Sequence, residues 1–366
     1  MGEWEHITRV PSSQKADRSQ YKEVNLTNHN HHSLDEYVAA RRKGVEFLLR
    51  TLGEDGSLPP LANENLYYFR LPWTLAVTGE TAAASRVLDW IKRNQFTSDG
   101  RMEGVTPIGT RAQDFYTYTT AILMLGAHLR QRYDMSSRGH RFLLSRQTSE
   151  SGGVYSSAEP ITPASEEDIM STAQAGLTCV LMGDLETAQR AARWFERMWK
   201  AQPQPRERLY LRYSSAAGLV TAFPPDRAFF YVVESQKGHE QAYFMPGITA
   251  AFLGRLYMAT GAEQWLRLAQ EYQAFSMNTT ERQFDWGRAC KSGWGSAVLY
   301  EATGDLVYYE WTRRFGDWYV ELQLPEGDWR SSKLTSHTRA MPDRIATVAE
   351  FTMHLDTIIH AVSVAP

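Results

Sequence analysis

A few groups of ionisable side chains have the types and spacing for proton transfer or nucleophilic attack. His239 stands beside Glu240 in a long connecting segment, roughly residues 203–241, of a length that often folds as a functional lid. A histidine among carboxylates can exchange protons near neutral pH, although the same pair also suits a hydrogen-bonded helix entry. Cys290 precedes Lys291 at the start of an apolar run, where a helix N-terminus and a neighbouring ammonium both favour a thiolate. The alternative there is an inert buried thiol. Glu350 and His354 lie one helical turn apart and could hold one another's protonation state, for catalysis or as a satisfied buried pair. Asp114, Asp168 and Asp343 fall where apolar runs begin, so each suits a helix cap as well as a catalytic carboxylate. Glu166-Glu167-Asp168 reads more readily as a solvated loop edge than as a catalytic cluster. The candidate catalytic residues are therefore His239, Asp114, Glu240 and Cys290.

The chain is rich in aromatic residues, with 11 Trp, 18 Tyr and 15 Phe, enough to line a cavity as well as fill a core. Tyr68, Arg70, Trp73, Tyr116, Tyr118, Tyr155, Tyr243, Trp286, Lys291 and Trp329 fall in or just after the longer connecting segments. They are the candidate substrate-binding residues, and bulk alone would explain the rings among them as core. No GxxxxGK[ST], HExxH, CxxC or Gly-x-Ser-x-Gly pattern occurs, so no metal and no nucleotide or other cofactor is expected.

A formal charge of −3 without a basic block argues against a nucleic-acid partner. Two distant cysteines suit a reducing cytosol, and no apolar leader or membrane-length apolar window occurs. The expectation is a cytoplasmic protein with a small, apolar substrate and no membrane partner. Residues 1–32 read as a polar arm, whose Asn28-His29-Asn30-His31-His32 suits solvent better than a metal.

The elements that must position these groups repeat. Five short junctions resemble one another: Val77-Thr78-Gly79-Glu80, Gln131-Arg132-Tyr133-Asp134, Leu181-Met182-Gly183-Asp184, Ala259-Thr260-Gly261-Ala262 and Ala302-Thr303-Gly304-Asp305. Each ends an apolar run and precedes an amphipathic one, as in a tight αα-hairpin with a left-handed glycine cap. Longer loops open after the amphipathic runs at Asp55-Gly56, Asp99-Gly100, Gly152-Gly153, Arg208-Leu209, Phe284-Asp285 and Gly327-Asp328. The period is roughly 50 residues.

Amphipathic helices are expected near 34–52, 80–96, 134–147, 184–201, 263–277 and 305–323, with Ser33 and Glu36 as a capping box on the first. Apolar partners are expected near 66–79, 114–130, 169–182, 242–260, 287–303 and 343–361. Helices apolar all round belong to an inner layer. The fold class is all-α, a single closed (α/α)6 barrel over 33–366, with the site at the mouth formed by the long loops.

This alternation resembles the α/α toroid proteins that include terpene cyclases and linalool dehydratase/isomerase. Cys290-Lys291-Ser292-Gly293-Trp294-Gly295 and Tyr243-Phe244-Met245-Pro246-Gly247 are similar to segments of uncharacterised toroid proteins, including ones associated with microbial natural-product pathways. The Asp-x-Asp-Asp acid of squalene-hopene-type cyclases, the diphosphate-binding Asp clusters and the prenyltransferase zinc ligands are missing, so no catalytic residue carries over. The resemblance implies a cofactor-independent biosynthetic enzyme acting on a terpenoid- or polyketide-like substrate. Its chemistry would be pericyclic cyclisation of the Diels–Alder type or acid–base isomerisation or dehydration. A glycosidase, lyase or sugar epimerase on the same barrel is the competing reading, and a non-catalytic binding protein is the third.

Overall fold

The computed structural model describes residues 31–59, 67–102, 116–157, 160–329 and 341–364. Six amphipathic helices alternate with six apolar ones among the described residues. The outer layer is α1 (Leu34–Thr51), α3 (Thr81–Asn94), α5 (Tyr133–Arg146), α7 (Leu185–Ala201), α9 (Glu263–Met277) and α11 (Leu306–Leu322). The inner layer is α2 (Leu71–Val77), α4 (Tyr116–Leu129), α6 (Ile169–Met182), α8 (Phe244–Thr260), α10 (Cys290–Thr303) and α12 (Met341–Ser363).

Each inner helix packs on the next, and α12 returns to α2 and α1, so the ring closes. Thr74 in α2 donates to the carbonyl of Ala349 in α12 at 2.9 Å, which ties the seam. Burial all round accounts for the apolar composition of the inner layer: in α8 every residue from Phe244 to Gly254 is buried. α8 and α10 approach closely enough that a Cβ on Gly247 would stand 2.3 Å from the Lys291 carbonyl oxygen.

The caps follow the sequence pattern. Ser33 and Glu36 form the capping box, and Asp168, Asp184 and Asp305 cap α6, α7 and α11. Gly183, Gly261 and Gly304 end α6, α8 and α10 in the left-handed conformation, while Gln131 adopts φ 57° at the junction that lacks a glycine. A second set of glycines spaces the outer layer. Gly56, Gly100, Gly152 and Gly327 follow α1, α3, α5 and α11, and each presses on backbone or β-carbon atoms of the next outer helix, at Arg86, Arg138, Arg190 and Lys43. The last contact, from beyond α11 onto α1, closes the outer ring.

Three expectations change. Residues 203–241 are not bare loop: β2 (Arg208–Tyr210) pairs antiparallel with β5 (Val232–Glu234), and β3 (Arg212–Ser214) lies between β1 (Glu166–Asp168) and β4 (Gly218–Leu219). The Glu166-Glu167-Asp168 run is β1 rather than a solvated edge, since Glu167 and Asp168 are buried and Thr148, Ser151 and Trp194 all donate to the Glu167 carboxylate. α10 begins at Cys290 because Gly287–Ala289 forms a 3-10 turn first. Of the polar arm, His31 is described, and it is pinned to α11 through Asp317 at 2.5 Å and Glu310 at 3.2 Å.

Two glycines of nearly equal φ separate backbone strain from close approach. Gly79 (φ +88°) has nothing within 4 Å of a built Cβ, whereas at Gly327 (φ +93°) that atom would stand 2.2 Å from the Lys43 carbonyl oxygen. Gly79→Ala should destabilise by about 1 kcal/mol through φ alone, and Gly327→Ala by clearly more. Urea denaturation of the two variants checks this, and equal losses would mean that the Gly327 contact yields freely.

Candidate active site

Each inner helix is entered from a long segment and left by a short turn, so the N-terminal turns of the inner layer gather at one mouth. Four of those turns carry the polar groups and rings that meet there. Arg70 caps α2, Tyr118 lies in the first turn of α4, Phe244 opens α8, and Cys290 and Lys291 open α10. Glu350 and His354 come from the longer α12.

Glu350 is the hub. Lys291 donates to one carboxylate oxygen, and the Arg70 guanidinium lies 3.4 Å from the other. Arg70 also donates to the Tyr118 hydroxyl at 3.4 Å and stacks over Phe69 at 4.4 Å. The Lys291 ammonium faces the Phe244 ring at 4.8 Å and the Tyr118 ring at 6.0 Å. Trp73 meets Trp294 edge to face, and Trp294 stacks on His354 with ring centroids 5.0 Å apart. The cluster is thus three polar donors and one carboxylate inside an aromatic wall.

Burial alone would push the Glu350 carboxyl up, but Arg70, Lys291 and His354 outweigh it and hold it well below the usual carboxylate range. Burial likewise works against the Lys291 ammonium, and Glu350 foremost keeps it charged and above its ordinary range. His354 is lowered to about 3 by burial first and then by Lys291 and Arg70, so the ring is neutral near pH 7. Neither of its nitrogens has a hydrogen-bond partner. Ligand atoms of Cys290, Glu350 and His354 lie within 4.8 Å of one another, a spacing a metal could use, yet Arg70 and Lys291 on the same carboxylate oppose a cation there.

Of the residues singled out in the sequence, Arg70, Trp73, Tyr118, Cys290 and Lys291 come together in this cluster. The others lie elsewhere. Tyr68 stacks on Trp90 of α3 and holds the Leu58 amide, Tyr116 donates to the Met102 carbonyl at 2.8 Å, and Tyr155 packs against Arg146. Tyr243 donates to the carbonyls of Lys237 and His239, Trp329 to that of Tyr319, and Trp286 is half-buried at the end of a 3-10 turn. His239 is exposed and Glu240 half-buried, and neither bonds to Glu350, Arg70 or Lys291. Asp114 lies outside the described residues, as does the side chain of Asp343.

Glu350 and His354 do share a face of α12, but they do not bond to each other; the two cations take the carboxylate instead. Phe69, Phe244 and Trp294 were not singled out as wall residues. Trp294, four residues beyond Cys290 and so on the same helical face, was the one with a readable signal.

No family model and no curated protein matches the chain. Solved structures do, at the level of the fold. A cellobiose 2-epimerase from Spirochaeta thermophila aligns with a TM-score of 0.64 at 11% identity, covering 90% of this chain and 97% of that one. A GH76 α-mannanase from Bacteroides thetaiotaomicron gives 0.61 at 14% identity over 89% and 97%. A type II terpene cyclase from Scytonema, solved with its product merosterolic acid A, gives 0.57 at 13% identity over 90% and 98%. The chain has the (α/α)6 toroid fold that these proteins share, and the expected resemblance to toroid terpene cyclases holds at that level.

Two measurements follow from the electrostatics. Glu350→Gln leaves two buried cations without their counter-charge and should destabilise by roughly 3–5 kcal/mol in chemical denaturation. His354 gives a pH signature. The unfolded histidine takes a proton near its ordinary 6.5 and the folded one only at about 3, so between those values the unfolded state holds more protons and falling pH favours unfolding. His354→Phe should flatten the stability profile between pH 6.5 and about 3, and an unchanged slope would show that the imidazole is protonated in the fold.

Proposed function

We propose that the chain is a cofactor-independent enzyme that cyclises an apolar small molecule, folding it against the aromatic wall while Arg70, Tyr118 and Lys291 hydrogen-bond to an activating carbonyl. The observation that carries this reading is the convergence of those three donors, from the entry turns of three inner helices, beside Trp73, Phe244 and Trp294. Fixed donors stabilise negative charge as it grows on a carbonyl oxygen, and confinement of a folded conformer removes part of the entropic barrier. A pericyclic closure needs little more. Dehydration by proton donation suits the cluster less well, because Glu350 is held as a carboxylate and His354 as a neutral ring, so neither is an effective acid near pH 7.

A second reading has one observation in its favour. His354 is neutral, without a hydrogen-bond partner and stacked on Trp294, so it offers a proton acceptor on an aromatic platform, although a ring lowered to about 3 is a weak base for abstraction next to a sugar carbonyl near pH 7. The epimerase among the similar folds agrees with it. Glycoside cleavage fits less well, since it requires two facing carboxylates and the described cluster offers Glu350 alone, already held by two cations.

Deleting the gene and comparing metabolites tests the reading: a linear precursor should accumulate, and the purified protein should close it into a ring. Tyr118→Phe should then lower kcat by about 10²-fold, as for loss of one oxyanion donor, with little change in thermal stability. Unchanged small-molecule profiles with altered sugar or glycan use would sink the cyclase reading in favour of the second.

A further inference from the structure

Among the described residues, the buried charges of the cluster do not sum to zero. Arg70 and Lys291 bring two positive charges and Glu350 one negative, while His354 contributes a neutral ring. Among the described residues no second carboxylate bonds to either cation. The Lys291 side chain is 4% exposed, and among the described residues its hydrogen bond goes to Glu350 while the Phe244 and Tyr118 rings face the ammonium. The buried Nε of Arg70 has no hydrogen-bond partner. A net positive charge taken out of water is unfavourable unless something pairs with it. The field of the fold adds to the imbalance, because α4, α8 and α10 all present their positive N-terminal ends at this mouth.

We infer that this cluster takes a substrate with an anionic head, a carboxylate or an enolate, held between Arg70 and Lys291 with its apolar body against Trp73, Phe244 and Trp294. The inference rests on the donor-activated reading above and narrows it to acids and enolisable carbonyl compounds. The same two cations that balance Glu350 then serve the ligand: the head completes the charge pairing, and any negative charge growing on a conjugated carbonyl spreads toward donors already in place. A thiolate at Cys290 would neutralise the cluster without a ligand, and the preference for an acid would then vanish.

The test is calorimetric titration of the full chain at pH 7 with 4-phenylbutyrate and its uncharged counterpart 4-phenylbutanamide. The acid should bind about ten-fold tighter, the order expected of one added charge-assisted contact. Lys291→Met should abolish that difference while the amide still binds, since Arg70 and Glu350 remain as a balanced pair. Arg70→Gln removes the same charge from the other side and serves where Lys291→Met does not fold. Acid and amide binding equally would overturn the anionic head yet leave an apolar binding site standing, and binding of neither would overturn the functional reading as well. Equal binding accompanied by rapid alkylation of Cys290 by iodoacetamide would identify the thiolate as the balancing charge and overturn the inference.

Discussion

A carboxylate taken out of water is the constraint around which the centre of this molecule is arranged. Glu350 is tolerable inside the inner layer because Lys291 and Arg70 reach it from two other helices. Those three residues belong to α10, α2 and α12, and α12 is the helix that closes the ring onto α2. The ion cluster therefore also fixes how the last inner helix is rotated and how deep it sits. A shift of α12 by one residue would turn the carboxylate away from its partners and expose two cations to an apolar wall. The close approach of Gly247 to the Lys291 carbonyl works to the same end, since it sets where the first turn of α10 lies against α8.

The architecture was legible because it is written in repeats. Apolar runs such as Ala121-Ile122-Leu123-Met124-Leu125 mark helices buried on all sides, and the Gly-Asp pairs at Gly183-Asp184 and Gly304-Asp305 serve as a left-handed cap followed by a side-chain N-cap. Each local preference agrees with the global arrangement. What escaped was the content of the segment from 203 to 241. Its strands are two or three residues long, β2 pairing with β5 and β3 with the distant Glu166–Asp168, so no local period announces them.

The site was legible in part. Lys291 and Cys290 were marked by their place at a helix start, and Arg70, Trp73 and Tyr118 by theirs at the loop mouth. Glu350 and His354 were read as each other's partners because they are one turn apart, which is all that a single helix can reveal. The true partners of Glu350 lie 59 residues away at Lys291 and on the far side of the seam at Arg70. Trp294 apart, aromatic residues divided without a sequence signal: Trp329 and Tyr243 spend their polar atoms on backbone carbonyls and pack as core, while Phe244 joins Trp294 in facing the cluster. Only the three-dimensional contact separates a wall from a core.

The glycines that follow the outer helices act as a gauge. Because Gly56, Gly100, Gly152 and Gly327 rest on main-chain or β-carbon atoms of the neighbouring helix, the spacing at four of the six steps of the outer ring is set with almost no help from side-chain shape. Those steps are then independent of what lines the mouth. Residues of the entry turns can be exchanged, and long segments lengthened or folded into small sheets, without resizing the ring that carries them. A frame gauged in this way lets the chemistry of its opening diverge freely while the bore stays the same.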